Sequence, residues 1–264
     1  MAYLSLRDVR KVYYPKRGES LLALDGISFD VAEGEFITIV GPSGCGKSTL
    51  LKLTAGLVFT NAGEIWLDGR IVLGPRVGVG MIFQSAVLLK WKTVLGNVMF
   101  PIKILGLDER QHLKKAYELL EMTGLTDFAD RYPRELSGGM QQRVSICRAL
   151  VFNPSVLLMD EPFGALDAMT REELSLELLR IWQEARKTVL FVTHSVPEAV
   201  LLGDRVVVMS ARPGRIVEVI EIDLPRPRPL ALTTTDTFQA YVYKVRSMIK
   251  ASQEGASREV TGYA

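Results

Sequence analysis

The stretch that decides the fold reads Gly41-Pro42-Ser43-Gly44-Cys45-Gly46-Lys47-Ser48-Thr49. It fits G-x-x-x-x-G-K-[ST], the pattern of loops that cradle phosphate. Glycines let the backbone wrap round a phosphate because they tolerate positive φ and carry no side chain. Successive N–H groups then face the anion, and the helix that starts near Gly46 adds its positive end. In this pattern Lys47 reaches the β- and γ-phosphates, and the hydroxyl of Ser48 ligates Mg²⁺.

The residues on either side of the loop have the patterns that such a loop requires. Residues 35–40 form a largely apolar run typical of a buried strand, and residues 49–53 are typical of a helix. Strand, glycine-rich loop and helix together predict a binding site for a nucleoside triphosphate.

Composition limits the possible partners and compartments. The chain has 264 residues, enough for one large domain or one domain with a subdomain. Its 32 Lys and Arg against 30 Asp and Glu give a net charge of +2, which argues against a nucleic-acid partner. No run of about 18 or more apolar residues predicts a membrane span. The N-terminus lacks a signal-peptide pattern, and Cys45 and Cys147 lack metal or redox spacing, so we expect a reducing cytosol.

The residues before the loop predict a small antiparallel sheet, with strands around Tyr3–Val9 and Ile27–Ala32. Tyr13 and Tyr14 precede the loop, where an aromatic ring can stack on an adenine base. Either ring can equally be a core residue of the sheet, which would need no ligand.

After the loop, the pattern changes from strand to helix. Gly63–Val72 predicts a hairpin with an Asp-Gly turn, and residues 78–83 predict a strand that ends at Gln84. Gln84 therefore lies at the carboxyl end of a strand, where open α/β sheets bind ligands. Residues 85–135 predict a helical insertion between two strands, including a helix capped by Asp108.

A second glycine motif follows this insertion. Leu136–Arg143 reads Leu-Ser-Gly-Gly-Met-Gln-Gln-Arg and opens a predicted helix that runs to about Phe152. Ser-Gly-Gly at the start of a helix is suited to bind phosphate, and an ordinary helix cap has the same appearance.

Two carboxylates follow the next apolar run. Residues 156–159 predict a buried strand that delivers Asp160 and Glu161 at its end. In a phosphate-loop protein the first carboxylate typically holds Mg²⁺. Adjacent strand residues face opposite ways, so we expect a different task for Glu161, namely to orient or deprotonate an attacking water.

The remaining elements alternate between helix and strand. A helix is predicted from Arg171 to Arg186, and a strand over residues 188–193 ends in His194. We expect His194 at the same sheet edge as the phosphate loop, which favours a catalytic role.

Two further strands and a tail complete the chain. The strands are predicted over residues 204–210 and, as an antiparallel pair, 214–223. Pro225-Arg226-Pro227-Arg228-Pro229 marks the end of the fold. A helical pattern follows over residues 238–250, and residues 251–264 are predicted to be disordered.

These motifs, taken in order, resemble those of the nucleotide-binding subunits of ABC transporters. The resemblance covers residues 1 to about 230, and Leu-Ser-Gly-Gly-x-Gln is the signature of that superfamily alone. The matching positions are Gln84, Leu136–Arg143, Asp160-Glu161, Ala165-Leu166-Asp167 and His194.

The resemblance implies roles within one chain. The adenine-stacking aromatic is Tyr13 rather than Tyr14, and Gln84 senses Mg²⁺ and the γ-phosphate. Together with Ser48, Gln84 and Asp160 are the metal-site residues. The resemblance makes Glu161 the catalytic base and His194 the γ-phosphate switch.

The resemblance also implies roles across a dimer. Asp167 links the two sites, and Ser137, Gly138, Gly139 and Gln141 belong to the signature that meets ATP held by a second subunit. The implied fold is α/β, a phosphate-loop ATPase core with a mostly parallel sheet. An N-terminal antiparallel β subdomain and a helical subdomain at residues 85–152 complete an ATPase domain over residues 1–230, followed by a tail over 231–264.

A narrower resemblance points to the nitrate, sulfonate and taurine importers. It rests on residues 88–94, 210–217 and 224–228, although that branch commonly has Pro at the position of Lys90. The expected protein is an ATP hydrolase, with ATP and Mg²⁺ as cofactors, that powers uptake of a small solute. The expected partners are a second copy, transmembrane permease subunits at the cytoplasmic face of a bacterial-type membrane and, indirectly, a solute-binding protein.

Two other protein classes fit the motifs less well. A soluble ABC ATPase of DNA repair or translation usually has two cassettes or a long coiled-coil insertion. This chain has a single set of motifs and about fifty residues between Gln84 and Leu136. A small-molecule kinase leaves the signature Leu136–Arg143 unexplained.

Overall fold

The computed structural model describes residues 2–16, 18–164 and 166–261, and these form two compact units. The first comprises Met1–Arg76 and Arg186–Ala264, and the second comprises Val77–Ala185. The strands are β1 (Leu4–Tyr13), β2 (Leu21–Val31), β3 (Phe36–Val40), β4 (Ala62–Leu67), β5 (Arg70–Ile71), β6 (Val79–Ile82), β7 (Val156–Asp160), β8 (Thr188–Val192), β9 (Arg205–Met209) and β10 (Ile216–Glu221). The helices are α1 (Lys47–Thr54), α2 (Val94–Val98), α3 (Phe100–Ile104), α4 (Glu109–Met122), α5 (Gly138–Leu150), α6 (Ala168–Ala185), α7 (Val196–Leu202) and α8 (Asp236–Thr261).

The first unit begins with the predicted antiparallel sheet, in the order β2-β1-β4-β5. Asp68 and Gly69 connect β4 to β5 with φ of 50° and 66°. Two successive positive φ values are the geometry of a tight hairpin turn, which the Asp-Gly pair predicted.

A second sheet in this unit positions the phosphate loop. Its strands lie in the order β10-β9-β3-β8, with β3 parallel to both neighbours and β10 antiparallel to β9. All five residues of β3 are buried, and the rings of Phe36 and Phe191 lie 6.0 Å apart. A central parallel strand is covered on both faces, which explains its unbroken apolar sequence.

The C-terminal helix of the first unit is longer than predicted. Helix α8 runs to Thr261, so residues 251–261, which were predicted to be disordered, continue it. Residues 262–264, also predicted to be disordered, lie outside the described residues. The buried side chains of Phe238, Val242 and Val245 are spaced as one helical stripe. That stripe packs in the region of α7, β9 and β10.

The second unit contains the parallel pair β6 and β7 together with helices α2 to α6. Asp108 caps α4 as predicted, because its Oδ1 accepts hydrogen bonds from the backbone N–H groups of Arg110 and Gln111. Buried Asn97 organises the segment after β6, since its Nδ2 donates to the carbonyls of Leu89, Lys92 and Thr93. Among the described helices, none has the length and apolar character needed to cross a bilayer.

Candidate functional site

The phosphate loop connects β3 to α1 in the first unit. Gly44 and Gly46 have φ of 74° and 103°, a region that L side chains rarely adopt. A Cβ on Gly46 would lie 2.9 Å from the backbone carbonyl oxygen of Ala23, so the space there favours glycine as well. The loop therefore has the close curvature that the motif predicts.

Lys47 lies inside this curve. Its side chain is buried, and Nζ donates to the carbonyl oxygens of Gly41 and Pro42, each at 2.9 Å. Helix α1 begins at the same residue, with Gly46 as its N-cap and no side chain on the cap. An ammonium group and the N-terminus of a helix together favour an anion at this point.

The turn between β9 and β10 braces the loop, a feature that the motifs did not predict. Arg212 donates from Nη2 to the carbonyl oxygen of Gly44 at 3.2 Å. Gly214 is buried against the loop, and a Cβ there would lie 2.1 Å from the carbonyl oxygen of Cys45. The Pro-Gly pair at residues 213–214 signals a turn. The sequence of the turn does not show that it contacts the phosphate loop, because the two segments lie far apart in the chain.

We expect Gly214→Ala to weaken ATP binding. The new methyl group forces the backbone of Cys45 to shift, a misfit of the kind that costs about 1–3 kcal/mol. Titration with a fluorescent ATP analogue measures the affinity. Gly74→Ala is the matched control, because no heavy atom lies within 4 Å of its added Cβ. Equal affinities for the two variants would contradict the bracing role of the turn.

Tyr13, the predicted stacking residue, ends β1. Its hydroxyl donates to Oγ1 of Thr49 at 3.4 Å, which ties the ring to the helix that follows the loop. Nζ of Lys11 lies 5.2 Å from the ring centroid. Tyr14 is 73% exposed, so it is not a core residue of the sheet.

His194 follows β8 and is exposed. Hydrogen bonds hold the backbone on both sides of it. Thr193 donates from Oγ1 to Glu198, and the same oxygen accepts from the N–H of Ser195 at 2.9 Å. Ser195 caps α7 through its own hydroxyl.

The two predicted carboxylates lie in the second unit. Asp160 is the last residue of β7 and is buried, whereas Glu161 lies beyond the strand with φ of 47°. The alternation argument for Glu161 is thus wrong, because strand geometry ends one residue earlier. Nε2 of Gln84 donates to Oε2 of Glu161 at 3.1 Å, so the structure brings together these two predicted site residues.

The signature opens α5 in the same unit. Ser137 is the N-cap and accepts from the N–H of Met140, and Ser137 and Gly138 are exposed. The amide of Gln141 donates to the carbonyls of Pro133 and Leu136, so in this structure it fastens the preceding turn.

Asp167 lies just before α6. Its Oδ1 accepts from the N–H of Thr170 at 3.0 Å. This hydrogen bond is the main reason that the pKa of Asp167 lies below its ordinary value. Ala165, between Glu161 and Asp167 in the sequence motif, lies outside the described residues.

Each unit can be compared separately with the chemistry of a nucleotide and its metal. The loop provides a buried cation, glycine curvature and a helix N-terminus for phosphates. Within the described ranges, no cluster of three or more His, Cys, Asp or Glu could hold a metal. Mg²⁺ is usually bound through one or two carboxylates plus substrate phosphates, and the buried carboxylate of Asp160, in the second unit, has the donor chemistry that such a metal requires.

Comparison with known proteins identifies the family of the chain. Residues 24–164 match the sequence profile described as ABC transporter. An uncharacterised ABC transporter ATP-binding protein of Methanocaldococcus jannaschii is 49% identical over 247 residues, covering 94% of this chain and 91% of the relative. A taurine import ATP-binding protein of Rhizobium johnstonii is 49% identical over 220 residues, with 83% and 84% covered. A nitrate import ATP-binding protein of Synechocystis is 47% identical over 223 residues, with 84% of each covered.

Solved structures agree as well. A dimeric ABC transporter cassette has a TM-score of 0.77 and 33% identity, and it covers 84% of this chain and 100% of the cassette. A post-hydrolysis dimer bound to ADP and phosphate has a TM-score of 0.76 at the same identity and coverage. The resemblance and the α/β phosphate-loop fold predicted from the motifs are confirmed. The chain belongs to the ABC transporter family, as one of its ATP-binding, ATP-hydrolysing subunits.

Proposed function

We propose that this chain is the ATPase subunit of an ABC importer for a small anion, and that two copies close around two ATP molecules. Residues 1–230 form the ATPase domain, with a helical subdomain over residues 85–152, and residues 231–264 form a C-terminal tail. The observation that carries the proposal is the phosphate loop with buried Lys47, in a chain that also has an exposed signature at Ser137.

Each residue of the ATP site has a distinct task in this proposal. Tyr13 stacks on adenine, and the loop Gly41–Thr49 holds the phosphates through N–H groups and Lys47. Ser48, Asp160 and Gln84 hold Mg²⁺, which neutralises charge on the phosphate oxygens.

Hydrolysis requires a water aimed at the γ-phosphate. Glu161 deprotonates or orients that water, and His194 contacts the γ-phosphate. Lys47 and the loop N–H groups stabilise the charge that develops as the bond breaks. The hydrogen bond from Gln84 to Glu161 supports this assignment, because it links the metal-sensing amide directly to the base.

The second wall of each site comes from the other copy. Ser137, Gly138, Gly139 and Gln141 face the γ-phosphate held by the partner, and Asp167 connects the two sites. The exposure of Ser137 and Gly138 supports this role. Because the γ-phosphate bridges the copies, its removal lets them separate.

The transported solute is nitrate, taurine, another sulfonate or a similar small anion. Relatives that are 46–49% identical carry those three import names, which supports the assignment. Deletion of the gene, followed by growth on each anion as the sole nitrogen or sulfur source, identifies the solute. Normal growth on all of them would contradict this part of the proposal.

The permease docks on the segment after Gln84. Val87 is 58% exposed and Trp91 is 73% exposed, so these two are surface residues. Apolar side chains so exposed mark interaction sites when they lie together. The chain thereby lies at the cytoplasmic face of the membrane, and a solute-binding protein acts on it indirectly through the permease.

We expect the tagged chain, extracted in mild detergent, to co-purify with a multi-span membrane protein identified by mass spectrometry. The double variant Val87→Asp, Trp91→Asp should no longer co-purify with that protein, because burying two carboxylates against the permease is unfavourable. Phe59→Asp, at a 64% exposed position of the first unit, should retain it. Recovery of DNA-repair or ribosomal factors in place of a membrane protein would favour the alternative, a soluble ABC ATPase.

A further inference from the structure

The segment Pro225-Arg226-Pro227-Arg228-Pro229, which was predicted only to end the fold, holds a buried cation. Arg228 is 3% exposed. Its guanidinium donates to five backbone carbonyls, those of Val200, Leu201, Gly203, Ile222 and Leu224. A buried guanidinium is tolerated where its fixed fork of donors is satisfied.

Arg226 extends the same contact. It donates to the carbonyl of Leu202 at 2.7 Å and binds Oδ1 of Asp204. The carbonyls of residues 200, 201, 202 and 203 therefore all accept from the two arginines of the proline-rich segment. These are groups that the C-terminal end of a helix leaves without intrahelical partners, and cations are favoured at that end.

His194 lies just before the other end of α7, next to the N-cap Ser195. Thr193, Ser195 and Glu198 bond to one another around it, and Glu198 lies within the first turn of the helix. Helix α7 has seven residues, and Ala199, Val200 and Leu202 within it are fully buried. A helix this short and this closely packed transmits a displacement of one end to the other, because packed interiors are close to incompressible.

We propose that Arg228 is a positioning residue for His194, acting by anchoring helix α7 at the end opposite to the histidine. The inference deepens the proposed function, since it rests on the role of His194 in hydrolysis. The proline-rich segment over residues 225–229 thereby acquires a task within the ATPase cycle: it keeps the histidine backbone in place while ATP is bound.

The side-chain chemistry selects arginine for this task. Burial lowers the pKa of Arg228 to about 10, so the group stays charged at neutral pH. A lysine ammonium has three donors at a single point and cannot reach five carbonyls at once. Methionine fills similar space with no donor.

The test uses the full chain with Arg228→Met and Arg228→Lys. We expect Arg228→Met to lower kcat for ATP hydrolysis by about 10- to 100-fold with little change in KM, because a misplacement of about 1 Å has costs of this order. Arg228→Lys should recover part of the loss. Arg76→Met is the matched control, because it removes an arginine bonded to the carbonyls of Leu67 and Ile71. It should leave kcat unchanged.

Two readouts separate positioning from a loss of stability. Hydrogen exchange at residues 193–195 should accelerate in the Arg228 variants and not in Arg76→Met. In a His194→Ala background, Arg228→Met should lower kcat no further; an equal additional drop would overturn the inference. Normal turnover of His194→Ala alone would instead refute the proposed role of the histidine in hydrolysis. In that case hydrogen exchange still tests the anchor by itself: unchanged exchange at residues 193–195 in the Arg228 variants would refute it. If Arg228→Met does not fold, Arg228→Lys carries both measurements.

Discussion

Glu161→Gln is expected to keep ATP binding and to slow hydrolysis by at least about 100-fold, the range lost when a general base is removed. The amide has the size of the carboxylate, and its oxygen can still accept from Nε2 of Gln84, as Oε2 of Glu161 does in the native chain. The positive φ at residue 161 is kept as well, because the substitution changes no backbone atom. What the amide cannot do is take a proton from water.

A phosphate-release assay at saturating ATP measures the loss of turnover, and equilibrium binding of ATP measures the retained affinity. Glu177→Gln is a suitable control, because Glu177 lies on α6 and pairs with Arg180. Near-normal turnover by Glu161→Gln would show that another group is the base.

Ser137→Arg is expected to abolish hydrolysis in a chain that still folds. Ser137 is exposed at the start of α5, so a larger side chain can be accommodated in a single copy. A bulky cation would fill the space where the partner's ATP lies. Ser137→Ala isolates the loss of the helix cap, which costs about 1 kcal/mol, and it should be much less impaired.

Mixing variants tests whether the site is shared between copies. Lys47→Ala chains lose the cation of the phosphate loop but keep an intact signature. Mixed with Ser137→Arg chains, they should restore hydrolysis at no more than one site per dimer, measured as phosphate release against the mixing ratio. If Ser137→Arg alone hydrolysed ATP normally, the signature would not face a partner's nucleotide.

Local signals were sufficient where the structure depends on local chemistry. The Asp-Gly turn at residue 68, the cap at Asp108 and the glycine curvature at Gly46 all follow from φ preferences or a nearby hydrogen bond. The motifs likewise placed Gln84 and Glu161 in a single site, and these two side chains are in contact.

Long-range contacts explain what the sequence did not predict. Arg228 lies in a proline-rich segment typical of a chain leaving its fold, yet three of its five acceptors lie 25 to 28 residues away, at the C-terminal end of α7. Arg212 meets Gly44 across 168 residues. The acceptors of these two arginines cannot be identified from sequence spacing. They are brought within reach only because strands β9 and β10 return the chain to these positions.

In the proposed cycle, ATP joins two copies of this chain. Analytical ultracentrifugation of Glu161→Gln, with and without ATP and Mg²⁺, measures its mass in solution and so tests for the dimer. We expect a monomer near 29.3 kDa without nucleotide, a stable dimer with it, and no dimer when Ser137→Arg is added. A Glu161→Gln chain that is saturated with ATP and remains a monomer would contradict it.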